Sequence, residues 1–97
     1  MAHLDVVNPV ASRLEQSVKP PARLRDLSTA TVGLYWNMKA GGDAALDRTE
    51  QRLRERYPGI QFRRYTGSVG FIMRHATADD ADRMVAEVQA VVGTTAD

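Results

Sequence analysis

The residues best suited to chemistry lie in two short loops, each of which follows a predicted strand. The first loop, residues 37–42, joins a strand to a helix and contains Asn37, Lys39, Gly41 and Gly42. Backbone N–H groups at such a junction can bind an anion, and a lysine adds positive charge. The spacing matches neither the dinucleotide-binding fingerprint nor the P-loop. The loop therefore predicts either an anion or substrate site, or a plain strand–helix turn whose glycines satisfy the backbone.

The second loop, residues 93–97, is small and polar and follows the last predicted strand. Ligands of open α/β sheets bind beyond the carboxyl ends of the strands, so both loops belong to the same edge of the sheet. We therefore expect Thr94, Thr95 and Asp97 to join the first loop in binding a small-molecule or anionic substrate. No catalytic residue is predicted within this sequence.

Other kinds of reactive site are excluded by composition or spacing. The sequence contains no cysteine, which excludes disulfides, thiolate zinc sites and thiol nucleophiles. Two histidines are too few for a histidine metal site. Asp79, Asp80 and Asp82 splay around one helical turn, and two of them are better explained by the dipole of a helix start, which argues against a metal ion. Ser68 lacks the glycine two positions before it that a nucleophile elbow requires. We therefore predict no metal and no cofactor in this chain.

Length and charge narrow the class of protein. The 97 residues suffice for one small domain. A net charge of +1 argues against nucleic-acid binding by bulk attraction. The sequence has neither an apolar stretch of about 20 residues nor a signal peptide, so we predict a cytoplasmic protein without a membrane partner. Five arginines lie close together in the sequence, and they form either a solvated face or a patch that binds phosphate or an acidic partner. They are Arg52, Arg54, Arg56, Arg63 and Arg64.

Alternating strands and helices must position the two loops. The pattern predicts a strand at 31–36, a helix at 44–57 capped by Asp43, a strand at 60–65, a helix after Thr77, and a short strand at 90–92. The first strand is apolar throughout, as in a strand buried on both faces, while the second alternates as an edge strand does. The second helix is predicted to carry one apolar stripe: Ala81, Met84, Val85 and Val88.

This order predicts the α/β class, with a βαβαβ unit that forms a short parallel sheet. With right-handed crossovers and the first strand in the centre, the two helices lie on opposite faces. The result is half of a Rossmann-like or flavodoxin-like fold, incomplete at the C-terminus. Prolines break up residues 1–28, which predicts an N-terminal arm before a partial α/β domain at 29–97. Leu24 and Leu27 are expected to pack the arm against that domain.

Several segments resemble the UGSC-motif selenoprotein family. They are LYWNMK at 34–39 with GGD at 41–43, AVVGTTAD at 90–97, and PARLRDL at 21–27. In that family the third strand runs through an Ala-Asp or Gly-Asp pair into a selenocysteine- or cysteine-Gly-Ser-Cys signature, which is regarded as the reactive centre. The resemblance implies that Ala96 and Asp97 immediately precede this signature. The reactive centre would then lie beyond residue 97.

The resemblance implies the N-terminal part of a thiol- or selenol-dependent redox or reductive enzyme, with selenocysteine expected downstream. Because selenocysteine is encoded by a codon that otherwise means stop, we expect this chain to end at that codon. The alternative is a non-catalytic binding subunit that pairs with a second chain carrying the reactive motif. A homo-oligomer is a further alternative. A chain that is catalytic by itself is the least favoured interpretation.

Overall fold

Five regular elements form the fold in the computed structural model, which describes residues 3–13, 15, 17–70 and 74–95. They are β1 (Thr31–Trp36), α1 (Gly42–Arg56), β2 (Gln61–Thr66), α2 (Ala78–Glu87) and β3 (Ala90–Thr94). The three strands form one parallel sheet in the order β2-β1-β3. The predicted α/β class, the βαβαβ order and the central position of the first strand are confirmed.

The main core lies between the sheet and α1. Val32 and Leu34 of β1 meet Leu46 of α1 and Ile60, which precedes β2. Leu34 and Leu46 are fully buried. Burying each such aliphatic side chain contributes about 1.5–3 kcal/mol, so this cluster holds α1 against the sheet.

The other face of the sheet carries α2. Gly33 lies beneath Tyr65 of β2 and Val88, where a Cβ atom would come within 3.0 Å of the Tyr65 ring. Strand side chains alternate between faces, so these contacts lie opposite Val32 and Leu34. The two helices therefore cover opposite faces of the sheet, as predicted.

The apolar stripe of α2 is only partly buried. Val88 is buried, whereas Val85 is 80% exposed. α2 contacts β2 through Arg83 and Glu87, which meet Tyr65, and its apolar flank borders an open groove beside β3. That groove is lined by Pro21, Ala81, Met84, Val85, Val88, Gln89, Ala90 and Val91.

Several element boundaries differ from the predictions. Gly41 with φ 88° is the N-cap of α1, without a side-chain cap, so the prediction of Asp43 as the cap is wrong. A Cβ at position 42 would lie 2.7 Å from the Trp36 ring, so close packing against β1 favours two glycines where the helix begins. Strand β2 begins one residue later than predicted. Strand β3 extends to Thr94, which pairs with Trp36. At α2, by contrast, the predicted N-cap Thr77 is confirmed.

The two edges of the sheet differ in charge. β2 carries Arg63 and Arg64, which pair with Glu87 at 2.8 Å and Asp47 at 2.9 Å. Charged side chains on an edge strand oppose further strand pairing. β3 carries no charged residue.

Arg52 and Arg54 also pair with glutamates of α1, so the contacts support a solvated face for the arginine group.

The described residues of the arm, which lie between 3 and 28, form no helix or strand. Leu27 packs against the core, but Leu24 is 40% exposed, so the expected packing holds for Leu27 alone. Among the helices of the described ranges, none has the length and hydrophobicity needed to cross a membrane.

Candidate functional site

A cavity of about 230 Å³ opens at the carboxyl ends of β1 and β3. It is lined by Tyr35, Asn37, Gly93, Thr94 and Thr95, and we call it the switch-point cleft. The chain leaves β1 toward β2 on one side and returns to β3 on the other, with the helices on opposite faces. Such a reversal of strand order is where open α/β sheets bind their ligands. The cleft therefore lies at the position that this fold class uses for a ligand.

The side chain of Asn37 joins the loops that follow β1 and β3. Its Nδ2 donates to the carbonyl oxygen of Thr95 at 2.6 Å, and its Oδ1 accepts from the Thr95 N–H at 3.1 Å. The same Oδ1 accepts from the Lys39 N–H at 3.2 Å. The backbone N–H of Asn37 donates to the Thr94 carbonyl at 3.0 Å. Asn37 thus fixes the backbone at the exit of β3.

The β1–α1 loop is held by both strands. Trp36 Nε1 donates to the Lys39 carbonyl at 2.7 Å, and Thr94 Oγ1 donates to the Gly42 carbonyl at 3.0 Å. The loop also contains Met38 in the left-handed region, with φ 70°. α1 begins here, so the positive end of its dipole lies at this edge of the sheet. No side chain caps this helix start.

The structure brings the predicted site residues together at one edge. Asn37, Thr94 and Thr95 line the cleft, while Lys39, Gly41 and Gly42 form the adjoining helix entry. Asp97 lies outside the described residues. The role of these residues in binding a substrate stays a prediction.

Two further residues at the cleft were not singled out as site residues from the sequence. Tyr35, interpreted there as a core aromatic, lines the cleft, and its hydroxyl donates to the Arg74 carbonyl at 3.2 Å. The Arg74 N–H donates to the Asn37 carbonyl at 3.0 Å. The topology of the fold is the signal that could have identified Arg74 from the sequence. In a parallel βαβ unit every strand–helix loop lies at the same edge, including the β2–α2 loop that contains Arg74.

The acids at the start of α2 have a structural role. Asp80 is buried and accepts hydrogen bonds from the Ser68 hydroxyl at 2.7 Å, the Ser68 N–H at 3.0 Å and the Thr77 N–H at 2.9 Å. The Ser68 hydroxyl bond is the main reason why the pKa of Asp80 lies well below its usual range. Within the described ranges, no three histidine, aspartate or glutamate side chains cluster as metal ligands.

A second cavity, of about 350 Å³, lies at the β2 edge and includes Tyr65, Arg63 and Glu87 in its lining. Glu87 accepts from the Tyr65 hydroxyl at 2.6 Å and pairs with Arg63 at 2.8 Å. The Tyr65 hydrogen bond lowers the pKa of Glu87, and burial raises the pKa of Tyr65. Arg64 and Arg83 also line this cavity and pair with Asp47 at 2.9 Å and Asp80 at 3.8 Å, so each of its arginines has an acidic partner.

The chain matches the sequence model of a known protein family. The sequence model of the UGSC family matches residues 5–97, and this range includes both loops at the cleft. No curated protein and no solved structure matches the chain. Since the family match spans nearly the whole sequence, the chain belongs to the UGSC family.

Proposed function

We propose that this chain is the N-terminal part of a thiol- or selenol-dependent redox enzyme of the UGSC type. Its switch-point cleft would receive the reactive selenocysteine- or cysteine-Gly-Ser-Cys signature of that family. The observation that carries the proposal is the pair of hydrogen bonds between Asn37 and Thr95. Thr95 stands two residues before Asp97, after which the resemblance places the signature.

In this proposal the reactive group comes from outside these 97 residues. The sequence has no cysteine, and the thioethers of its four methionines do not ionise. A selenol or thiol paired with a second thiol supplies two electrons to an oxidant and recovers two from an external dithiol or from two external thiols. A selenol is largely ionised near neutral pH, whereas a cysteine thiol has a pKa of about 8.5.

The chain's own residues would orient this group and favour its anionic form. Asn37 holds the backbone that leads to it. The uncapped start of α1 places a positive dipole end at the same edge, and Lys39 and Arg74 add cationic side chains to the adjoining loops. Positive charge and helix N-termini lower thiol pKa values, which raises the thiolate fraction and thereby the reactivity.

A non-catalytic binding subunit is the second candidate, favoured by the β3 edge. This edge is uncharged, and Val85 and Val91 beside it are 80% and 48% exposed. A second polypeptide that carries the signature could pair there. In that case the cleft would be completed between two chains, and β3 would become an inner strand.

One experiment separates these proposals. Residues 1–97 are assayed alone, fused to the signature and following segment of a UGSC-family protein with cysteine for selenocysteine, and mixed with that segment as a separate polypeptide. The readout is hydrogen peroxide-dependent oxidation of dithiothreitol. The control is a fused chain in which serine replaces both signature cysteines.

We expect turnover by the fused chain and none by residues 1–97 alone or by the serine control. Activity of the mixed sample that equals the fused chain would favour the binding-subunit alternative. Equal turnover by residues 1–97 alone and by the fused chain would contradict both proposals, because the reactive group would then lie within this sequence.

A further inference from the structure

Arg74 is joined through its backbone to the wall of the switch-point cleft. Its carbonyl accepts from the Tyr35 hydroxyl at 3.2 Å, and its N–H donates to the Asn37 carbonyl at 3.0 Å. Both partners line the cleft. The side chain of Arg74 therefore begins at the edge of the sheet where a ligand would lie.

The charge of Arg74 is not balanced within the described part of the chain. The residue is half-buried, and its Nε is buried without a hydrogen-bond partner there. Arg63 and Arg64, by contrast, pair with acids at 2.8 and 2.9 Å. A guanidinium that is partly removed from water without a counterion is costly. A buried polar atom without a partner calls for an explanation such as a bound ion or ligand.

We propose that Arg74 binds the carboxylate of a small substrate in the switch-point cleft, an inference that rests on the proposed function for the role of the cleft. The planar guanidinium matches a carboxylate with two parallel hydrogen bonds. The cleft, of about 230 Å³, has the size for a small molecule.

The residues at the cleft favour an anion. The five that line it include no aspartate, glutamate, lysine, arginine or histidine. Arg74 is bonded to two of them, Tyr35 and Asn37, through its backbone, and Lys39 lies in the loop that Asn37 holds. One arginine suffices for a monocarboxylate because both carboxylate oxygens fit its fork, and phosphate is the competing anion.

The test is an NMR titration of ¹⁵N-labelled residues 1–97 with sodium acetate and, separately, with inorganic phosphate, at ionic strength held constant with sodium chloride. We expect saturable shifts with acetate at the amides of Arg74, Gly93 and Thr95, and weaker binding of phosphate. Arg74→Lys keeps the charge but loses the planar fork, and should weaken acetate binding about tenfold. Arg74→Met should abolish it.

Arg48→Met is the matched control, because Arg48 is exposed on α1 and its side chain donates to Gln51 of the same helix at 2.7 Å. It should bind acetate as the wild type does. Unchanged acetate binding by Arg74→Lys, tighter binding of phosphate than of acetate, or no saturable shift in the wild type would each overturn the inference. The dispersion of the amide spectrum shows whether each variant is folded.

The inference and the proposed function can fail separately. Redox turnover by the fused chain without acetate binding at the cleft would overturn the role of Arg74 and support the redox function. Acetate binding that depends on Arg74, without turnover by the fused chain, would support the carboxylate site and count against the redox function.

Discussion

Replacement of Asn37 by alanine should destabilise the protein by about 2–3 kcal/mol. The change removes three side-chain hydrogen bonds, two to the Thr95 backbone and one to the Lys39 N–H. Each such bond contributes about 1 kcal/mol net, and water recovers a part of this because the site is only partly buried. Since small domains are stable by only about 5–15 kcal/mol, this loss is a large fraction of the total.

The assay is urea unfolding followed by tryptophan fluorescence and far-UV circular dichroism. Trp36 is the single tryptophan, and its Nε1 bonds the Lys39 carbonyl, so it reports on the same loop. Asn8→Ala is the matched control, since Asn8 makes one exposed bond to the Val10 N–H at 3.3 Å. This control should change the free energy of unfolding by less than about 0.5 kcal/mol. A value for Asn37→Ala within the error of the control would refute the reasoning.

Three further predictions concern the rest of the fold. Because Asp80 has a lowered pKa in the folded state, mainly through Ser68, its stabilisation is present above the unfolded pKa of about 3.9 and is lost as pH falls below it. Asp80→Asn should therefore flatten stability against pH in acid titrations; an unchanged acid limb would contradict this. Gly42→Ala should cost about 1–3 kcal/mol and shift the fluorescence of Trp36, because its Cβ would lie 2.7 Å from that ring. A Gly42→Ala variant as stable as the wild type would contradict this, because the Trp36 ring would then move away from the new Cβ at no cost. The uncharged β3 edge should cause self-association in sedimentation velocity, and Val91→Lys should reduce it; a wild-type monomer at all concentrations would contradict this.

The sequence predicted the elements whose signals are local. The apolar run of β1 defines its bounds, and the side chain of Thr77 caps α2 because it reaches an N–H group three residues ahead. The start of α1 was misplaced because a tertiary contact determines it. Gly42 packs against Trp36, and no local pattern shows how close these residues come.

Packing partners were harder to predict than elements. Helical periodicity identified the apolar face of α2, but it does not show which element covers that face, and Val85 is exposed. The two loops at the cleft were found because parallel strands bring their carboxyl ends together. Arg74 was missed because its significance depends on its bonds to Tyr35 and Asn37, which lie far from it in sequence.

The most direct test of the central claim is the pKa of the first signature cysteine in the fused chain. The second cysteine is replaced by serine, and the rate of alkylation by iodoacetamide is measured against pH in the wild type and in Asn37→Ala. If the cleft orients the reactive group beside the positive end of α1, the wild-type thiol pKa lies below about 8.5 and rises toward that value in the variant. A wild-type pKa at or above 8.5, or one that Asn37→Ala leaves unchanged, would contradict the account.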